Sequence, residues 1–155
     1  MVEPTDAEYH VLLTFRSALR RFLQWSAEEA RARGLTPQQH QLLLAVRAHP
    51  GPDGPSIGDI ADYLVIRHHS AVELVRRAEA VGLLHRRPDP ADHRVVRLVL
   101  TEVGREHVDE LAAGHLSELG RVAEALGISQ SAMQRLSQEF TTTLPADPNA
   151  SGGHG

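Results

Sequence analysis

The sequence has no cysteine and no lysine, and only 4% of its residues are aromatic. The lack of cysteine excludes disulfide bonds, zinc–thiolate sites and thiol-based redox sensing. No apolar run approaches the roughly 20 residues that a helix needs to span a bilayer. Residues 1–4 do not begin the basic and then apolar pattern of a secretory signal. We therefore expect a cytoplasmic protein with no membrane partner, whose 155 residues suit one compact unit.

Acidic residues outnumber basic ones, and the formal net charge is −4 at pH 7. A negative total argues against nucleic acid, because counterion release from phosphates normally requires a basic protein surface. The charges are unevenly distributed, however. Residues 67–100 contain seven arginines and four acidic residues, whereas residues 1–66 and 101–155 are both net negative. This distribution indicates that the middle of the chain is the part that would contact DNA.

The N-terminal third is predicted to form two helices. From residue 6 to about residue 33, apolar residues recur at helical spacing, and the segment stops at Gly34. A helix of that length would measure about 40 Å, more than a small domain needs, so a second chain could cover part of its apolar face. The Thr-Pro-Gln-Gln segment at residues 36–39 then provides a capping-box start for a helix over residues 38–48.

Two short amphipathic helices are predicted next. Residues 49–55 contain three prolines and two glycines, which indicates a loop. Ser56 caps a helix that extends through Leu64, and a second helix covers residues 67–81 and ends at Gly82. Because only a tight turn separates the two helices, the pattern predicts a helix-turn-helix.

After this pair the periodicity changes from helical to extended. Residues 83–87 and 95–100 favour β structure and flank a polar segment, which predicts a hairpin with a polar tip. Thr101 can cap a further long helix that ends at Gly127, and Ser129 can cap a last one. The polar, glycine-rich residues 145–155 are expected to form a disordered tail.

The predicted fold class is therefore mainly α with a small β-hairpin wing: a winged helix-turn-helix core with long N- and C-terminal helices. Such a core seats one helix in the major groove of DNA, braces it with another, and reaches the backbone with the wing. Residues 35–105 resemble the MarR family of regulators. The resemblance rests on the segment Ile57-Gly58-Asp59-Ile60-Ala61 and on residues 92–104, which fit the family's wing pattern D-x-R-x-x-x-L-x-L-T-x-x-G. With the long helices included, it extends over about residues 6–144.

The resemblance implies a homodimeric, sequence-specific transcriptional regulator that binds double-stranded DNA at a pseudo-palindromic operator. Residues 1–34 and 102–144 would form the helical dimerisation region, and residues 35–101 the DNA-binding region. Repression is the expected sign of regulation, with release by a small aromatic or lipophilic effector.

The DNA-binding residues implied by this resemblance lie on the second short helix and on the wing. Arg94 corresponds to the wing arginine, and a narrow minor groove favours arginine because its cation sheds water easily. Asp92 is expected to brace the wing or to orient an arginine, because its own charge would be repelled by phosphate. On the helix, the candidates for contact with bases or phosphates are Arg67, His68, His69, Ser70, Glu73 and Arg77. Many family members have a basic residue at the position of Glu73 and a Ser, Thr or Asp cap at Arg67-His68, so individual base contacts do not carry over.

Aromatic residues of the first helix are candidates for effector binding. With His40 on the second helix, Phe15, Phe22 and Trp25 could line the pocket that the family often has between its dimerisation and DNA-binding regions. Core packing alone explains most of these residues, since aromatic side chains at helical spacing occur in cores more often than in pockets.

No metal, cofactor or catalytic activity is expected. Ten histidines suggest a metal site, but adjacent His68 and His69 would point apart on a helix, and no ligand spacing is present. The sequence has no glycine-rich phosphate loop, nucleophile elbow or pair of carboxylates at a defined separation. The alternative left open is a winged-helix module that binds proteins without sequence-specific DNA binding.

Overall fold

The computed structural model describes residues 3–143, which form six helices and one two-stranded hairpin. In chain order the elements are α1 (Asp6–Ala32), α2 (Pro37–Ala48), α3 (Ile57–Leu64), α4 (His68–Ala80), β1 (Leu84–Pro88), β2 (Val96–Leu100), α5 (Glu102–Ala125) and α6 (Gln130–Thr143). The predicted fold class, mainly α with a hairpin wing, is confirmed. The predicted tail, residues 145–155, lies outside the described residues. Within residues 3–143, no helix combines the length and apolar character needed to cross a membrane.

The starts of α2 and α3 follow from local hydrogen bonds. Thr36 Oγ1 accepts from the backbone N–H of Gln39 at 3.1 Å, and the Gln39 side chain accepts from the Thr36 N–H at 2.9 Å. This is the predicted capping box. Ser56 and Asp59 repeat it at the start of α3, where Asp59 takes the place of the usual Glu or Gln. In contrast, α4 begins after Arg67 without a side-chain cap.

Residues 21–116 form one compact unit, which contains the whole helix-turn-helix and the hairpin. Its core joins α2, α3, α4, the hairpin and the first half of α5. The largest fully buried apolar side chains are Leu42, Leu43, Ile60, Val75, Leu84, Leu98, Val108 and Leu111. The rest of the described chain forms a second unit, and the boundaries fall inside α1 and α5. The functional boundaries at residues 34 and 102 stay a prediction.

The hairpin is fixed to the start of α3. β1 pairs antiparallel with β2 from Leu84 opposite Leu100 to Pro88 opposite Val96. The backbone N–H of Leu98 donates to the carbonyl of Pro55 at 2.9 Å, in the loop before α3. At Gly54, with φ of 85°, a Cβ atom would lie 2.2 Å from the Leu98 carbonyl oxygen, so this close approach requires glycine.

Two apolar side chains are more exposed than their sequence positions indicate. Val81 lies at helical spacing from the buried residues of α4, which predicts an inward position, but α4 ends at Ala80, and Val81 in the C-cap is 63% exposed. The continuous apolar run of residues 42–46 in α2 predicts burial on most sides. Leu44 is nevertheless 48% exposed, because α2 packs through the face that carries Leu43 and Val46. Position, and not hydrophobicity alone, decides burial at these helix residues.

Candidate nucleic-acid interface

The N-terminal half of α4 presents polar side chains to solvent. The helix packs into the core through Ala71, Leu74, Val75 and Ala78, which are all buried. The predicted contact residues are accessible: Arg67, His68, His69, Glu73 and Arg77 are exposed, and Ser70 is partly exposed. Arg67 precedes the helix as its N-cap, and the other five lie on α4.

Glu73 is engaged by two arginines of its own helix. Its carboxylate accepts from Arg76 at 2.6 and 3.0 Å, and Arg77 Nε lies 3.9 Å from the same carboxylate. The hydrogen bond from Arg76 is the main reason that the pKa of Glu73 is lowered, so the side chain is an anion at neutral pH. Because phosphate would repel this anion, Glu73 is suited to orienting the two arginines. Its contact with a base stays a prediction.

The tip of the wing carries the most exposed arginine of the hairpin. The side chain of Arg94 is 90% exposed, and its Nε and Nη2 donate to the two carboxylate oxygens of Asp92 at 3.0 Å each. The Asp92 carboxylate also accepts from the Arg94 backbone N–H at 3.1 Å. This is the geometry expected if Asp92 orients Arg94, whereas the contact of either residue with DNA stays a prediction.

The base of the wing contains two charged residues that sequence reasoning missed. Asp89 is only 6% exposed, and Oδ2 accepts from Arg97 Nε at 2.6 Å. The hydrogen bond from Arg97 is the main reason that the pKa of the Asp89 carboxyl lies below its usual range. An aspartate between two prolines indicates a turn but not a buried ion pair. The partner is eight residues further along the chain, across the hairpin.

A second group of side chains surrounds His115 on α5, within the unit of residues 21–116. Its ring centroid lies 4.6 Å from that of His40, 4.8 Å from Trp25 and 6.2 Å from Phe22. Three of the four predicted effector residues therefore meet here. The fourth, Phe15, is half exposed in the part of α1 that belongs to the other unit. His115 itself was not among the predicted ligand residues, because nothing local marks it.

The hydrogen bonds of His115 indicate which ring nitrogen carries the hydrogen when the ring is neutral. Nδ1 lies 2.8 Å from the Leu111 carbonyl oxygen, and Nε2 lies 2.7 Å from Ser26 Oγ. Because a carbonyl can only accept, Nδ1 carries the hydrogen, and Nε2 of the neutral ring accepts from the serine hydroxyl. Burial, aided by the charge that His115 can carry, lowers the pKa of His40 to about 4. His40 is therefore neutral at physiological pH.

The exposed helix, the supporting helix and the arginine-tipped hairpin define a winged helix-turn-helix protein. The resemblance to the MarR family seen in the sequence is confirmed: residues 33–95 match the MarR family model.

A curated relative is similar to part of the chain. The chain is 37% identical over 82 residues to the transcriptional activatory protein BadR of Rhodopseudomonas palustris. That alignment covers 53% of this chain and 46% of BadR, so the chain spans about half the length of the relative.

Solved structures show the same fold at lower sequence identity. AbsC of Streptomyces coelicolor, a MarR family regulator, superposes with a TM-score of 0.70 at 21% identity, over 92% of this chain and 95% of AbsC. MepR of S. aureus, solved in complex with DNA, gives 0.64 at 22% identity, over 92% and 98% of the two chains. CouR of Rhodococcus jostii, bound to p-coumaroyl-CoA, gives 0.65 at 23% identity, over 82% and 87%.

Proposed function

We propose that this protein is a sequence-specific DNA-binding transcriptional regulator that acts as a homodimer on a pseudo-palindromic operator. The observation that carries the proposal is the surface formed by α4 and the wing. The outward face of α4 and the tip of the wing belong to the segment of residues 67–100. The net charge of this segment is positive, whereas the segments on either side are net negative. Binding to an operator would place the protein in the cytoplasm, as the sequence leads us to expect.

The α4 face suits the major groove. Histidine and serine side chains near the N-terminal end, such as His68, His69 and Ser70, can donate to or accept from base edges. Arg67 and Arg77 can bind phosphate or guanine, because the guanidinium group offers a planar pair of donors. In this arrangement the α4 residues would determine the preferred sequence, whereas Arg94 on the wing would bind a flanking minor groove with little preference for sequence.

Exposed apolar residues on α1 support a homodimer. Six of the eleven residues between positions 9 and 19 are apolar side chains with 44% to 65% of their surface exposed. They are Tyr9, Val11, Leu12, Leu13, Phe15 and Leu19. A monomer rarely exposes such a contiguous apolar surface, and a second copy of the same helix would cover it.

The cluster around His115 supports an aromatic or lipophilic effector. Phe22, Trp25 and neutral His40 offer apolar ring faces, and the Ser26 hydroxyl adds a polar group, a combination typical of small-molecule sites. CouR, which shares the fold, is bound to an aromatic acyl-CoA. We propose that the ligand-free dimer represses and that the effector binds the DNA-free state more tightly. The name of BadR, in contrast, describes an activator. If deletion of the gene for the present protein lowered transcription of the genes that it regulates, that result would contradict repression.

The salt dependence of DNA binding tests the proposed function. Operator affinity should fall steeply as salt rises, because each phosphate contact releases counterions. Arg94→Ala should weaken binding to every duplex and reduce the salt slope by about one, whereas Ser70→Ala should change the preferred sequence. Fluorescence anisotropy at several salt concentrations measures both effects. Arg121→Ala, which removes an exposed arginine of α5, is the matched control and should bind like the parent.

Binding that is indifferent to salt and to both substitutions would contradict the proposal. That result would favour the alternative derived from the sequence, a winged-helix module that binds proteins.

A further inference from the structure

A continuous set of hydrogen bonds and ion pairs connects the first turn of α3 to the tip of the wing. The Asp59 carboxylate accepts from the backbone N–H and hydroxyl of Ser56 at 2.7 and 2.9 Å, which fixes it at the start of α3. Asp59 Oδ2 lies 3.8 Å from Arg97 Nη1 on β2. Arg97 Nε then donates to Asp89 Oδ2 at 2.6 Å. One arginine therefore links the helix-turn-helix to the residue that begins the wing turn.

Asp89 in turn shapes the backbone of the wing. Its other oxygen, Oδ1, accepts from the backbone N–H groups of Ala91 and Asp92 at 2.8 and 2.9 Å. The backbone N–H of Asp89 donates to the Val95 carbonyl at 2.8 Å and closes the loop between β1 and β2. The contact from the Asp92 N–H positions Asp92, and the Asp92 carboxylate in turn accepts from Arg94.

The base and the tip of the wing differ in exposure. The side chains of Asp89 and Arg97 are 8% and 14% exposed, whereas that of Arg94 is 90% exposed. A largely buried carboxylate is stable only when its oxygens are satisfied, and both oxygens of Asp89 have partners. Loss of one partner would leave a buried charge uncompensated. The base is therefore held by buried contacts, while the tip is accessible to a groove of DNA.

We infer that Asp89 and Arg97 are positioning residues for Arg94, which they order for contact with DNA before binding occurs. This inference rests on the proposed function. A wing that is already ordered avoids the entropy cost of immobilising the turn and the arginine side chain when DNA binds. Asp89 and Arg97 contribute to affinity without touching DNA, because they act through Asp92 and Arg94.

The charge of Asp89 makes the inference testable with one substitution. Asp89→Asn removes a negative charge near the DNA-binding surface, so simple electrostatics predicts tighter binding. The positioning role predicts the opposite, because asparagine has a single acceptor oxygen and cannot accept from both Arg97 and the backbone N–H groups of Ala91 and Asp92. We expect Asp89→Asn to weaken binding about tenfold, the scale of one immobilised arginine side chain. The sign of the change alone separates the two explanations.

A double-mutant cycle tests whether Asp89 acts through Arg94. Anisotropy with a labelled duplex enriched from a random oligonucleotide pool would compare the parent, Asp89→Asn, Arg94→Ala and the double variant. We expect Asp89→Asn to weaken the parent but to have no further effect once Arg94 is alanine. Glu79→Gln is the matched control, because it removes the same charge from a different ion pair, Arg86–Glu79 at 2.9 Å, which joins α4 to β1. It should bind at least as tightly as the parent.

A second substitution keeps the test valid if Asp89→Asn unfolds the protein, which circular dichroism at the assay temperature would reveal. Arg97→Lys keeps the positive charge but loses the simultaneous contact with Asp89 and Asp59. It should weaken DNA binding when Arg94 is present and have no further effect once Arg94 is alanine. Losses that add in the double variant, or tighter binding by Asp89→Asn, would overturn the inference and leave the proposed function intact. If no variant binds any duplex and the parent does not either, the proposed function fails with it.

Discussion

At the scale of single residues, His40 and His115 show how burial changes chemistry that composition cannot reveal. Their rings lie 4.6 Å apart, and burial, together with the charge available to His115, lowers the pKa of His40 from 6.5 to about 4. In the unfolded chain His40 has its ordinary pKa. Between pH 6.5 and 4 the unfolded state therefore binds more protons than the folded state, and stability falls as the pH is lowered through that window.

The residue-scale prediction concerns His40→Phe, which keeps an aromatic ring and removes the titration. The loss of stability that His40 causes can reach about 3 kcal/mol at the acid end of the window. We expect the variant to lose less stability than the parent between about pH 7.5 and about pH 5, as measured by urea unfolding at fixed protein concentration. His85→Phe, at an exposed position of β1, should keep the parent's dependence. An unchanged dependence in His40→Phe would show that the ring is already solvated.

Local patterns indicated most of the candidate site residues, and only the fold reveals the roles of Asp89, Arg97 and His115. Asp92 and Arg94 are two residues apart within a recognisable wing pattern, so their pairing was predictable from the sequence. Asp89 and Arg97 pair across the hairpin, and their register depends on the β1–β2 alignment. Residues 26 and 115, which hydrogen-bond at 2.7 Å, are 89 positions apart, and no spacing rule connects them.

At the scale of elements, the turn between α3 and α4 has a backbone conformation that the sequence does not indicate. Val65 caps α3 in the left-handed region, with φ of 52° and ψ of 48°, and its side chain is 91% exposed. A β-branched residue is disfavoured there, because its Cβ substituents crowd the backbone. The backbone N–H of Val65 still donates to the Asp62 carbonyl at 3.2 Å, which ends the helix. Packing of the two helices therefore outweighs local preference.

This conformation predicts that Val65→Asn stabilises the protein. Asparagine tolerates the left-handed region, and an exposed valine side chain contributes little packing, so the free energy of unfolding should rise by about 1 kcal/mol. Urea denaturation would measure the change. Val103→Asn, at a half-exposed position of α5 with ordinary helical geometry, should give no gain. Equal or lower stability of Val65→Asn would show that the valine methyl groups contribute packing that outweighs the strain.

Element boundaries were mostly predictable, because caps and glycines act locally. The capping residues Thr36 and Ser56 start α2 and α3 where the sequence indicated, and Gly82 follows α4 with φ of 76°. Sequence reasoning did not find the isolated bridge between Ser56 and Arg97, which attaches α3 to β2. Such contacts depend on how distant segments pack, so periodicity carries no information about them.

At the scale of the whole molecule, charge and apolar surface are separated along the chain. The net positive segment, residues 67–100, contains α4 and the wing, while exposed apolar residues concentrate between positions 9 and 19 of α1. A protein that binds DNA as a dimer needs a positive surface for the phosphates and an apolar surface for the second copy of the chain. Both were visible in the sequence as a charge distribution and an overlong helix, although dimerisation itself stays a proposal.

Selection of binding sites from a random oligonucleotide pool would show whether the protein recognises DNA as a symmetric dimer. We expect enrichment of an inverted repeat whose half-sites are centred about one helical turn apart, because two copies of α4 would enter successive major grooves. The Ser70→Ala variant should enrich a different half-site with the same spacing. A pool that remains random after repeated rounds, or an enriched site without two-fold symmetry, would show that the protein does not bind DNA in this way.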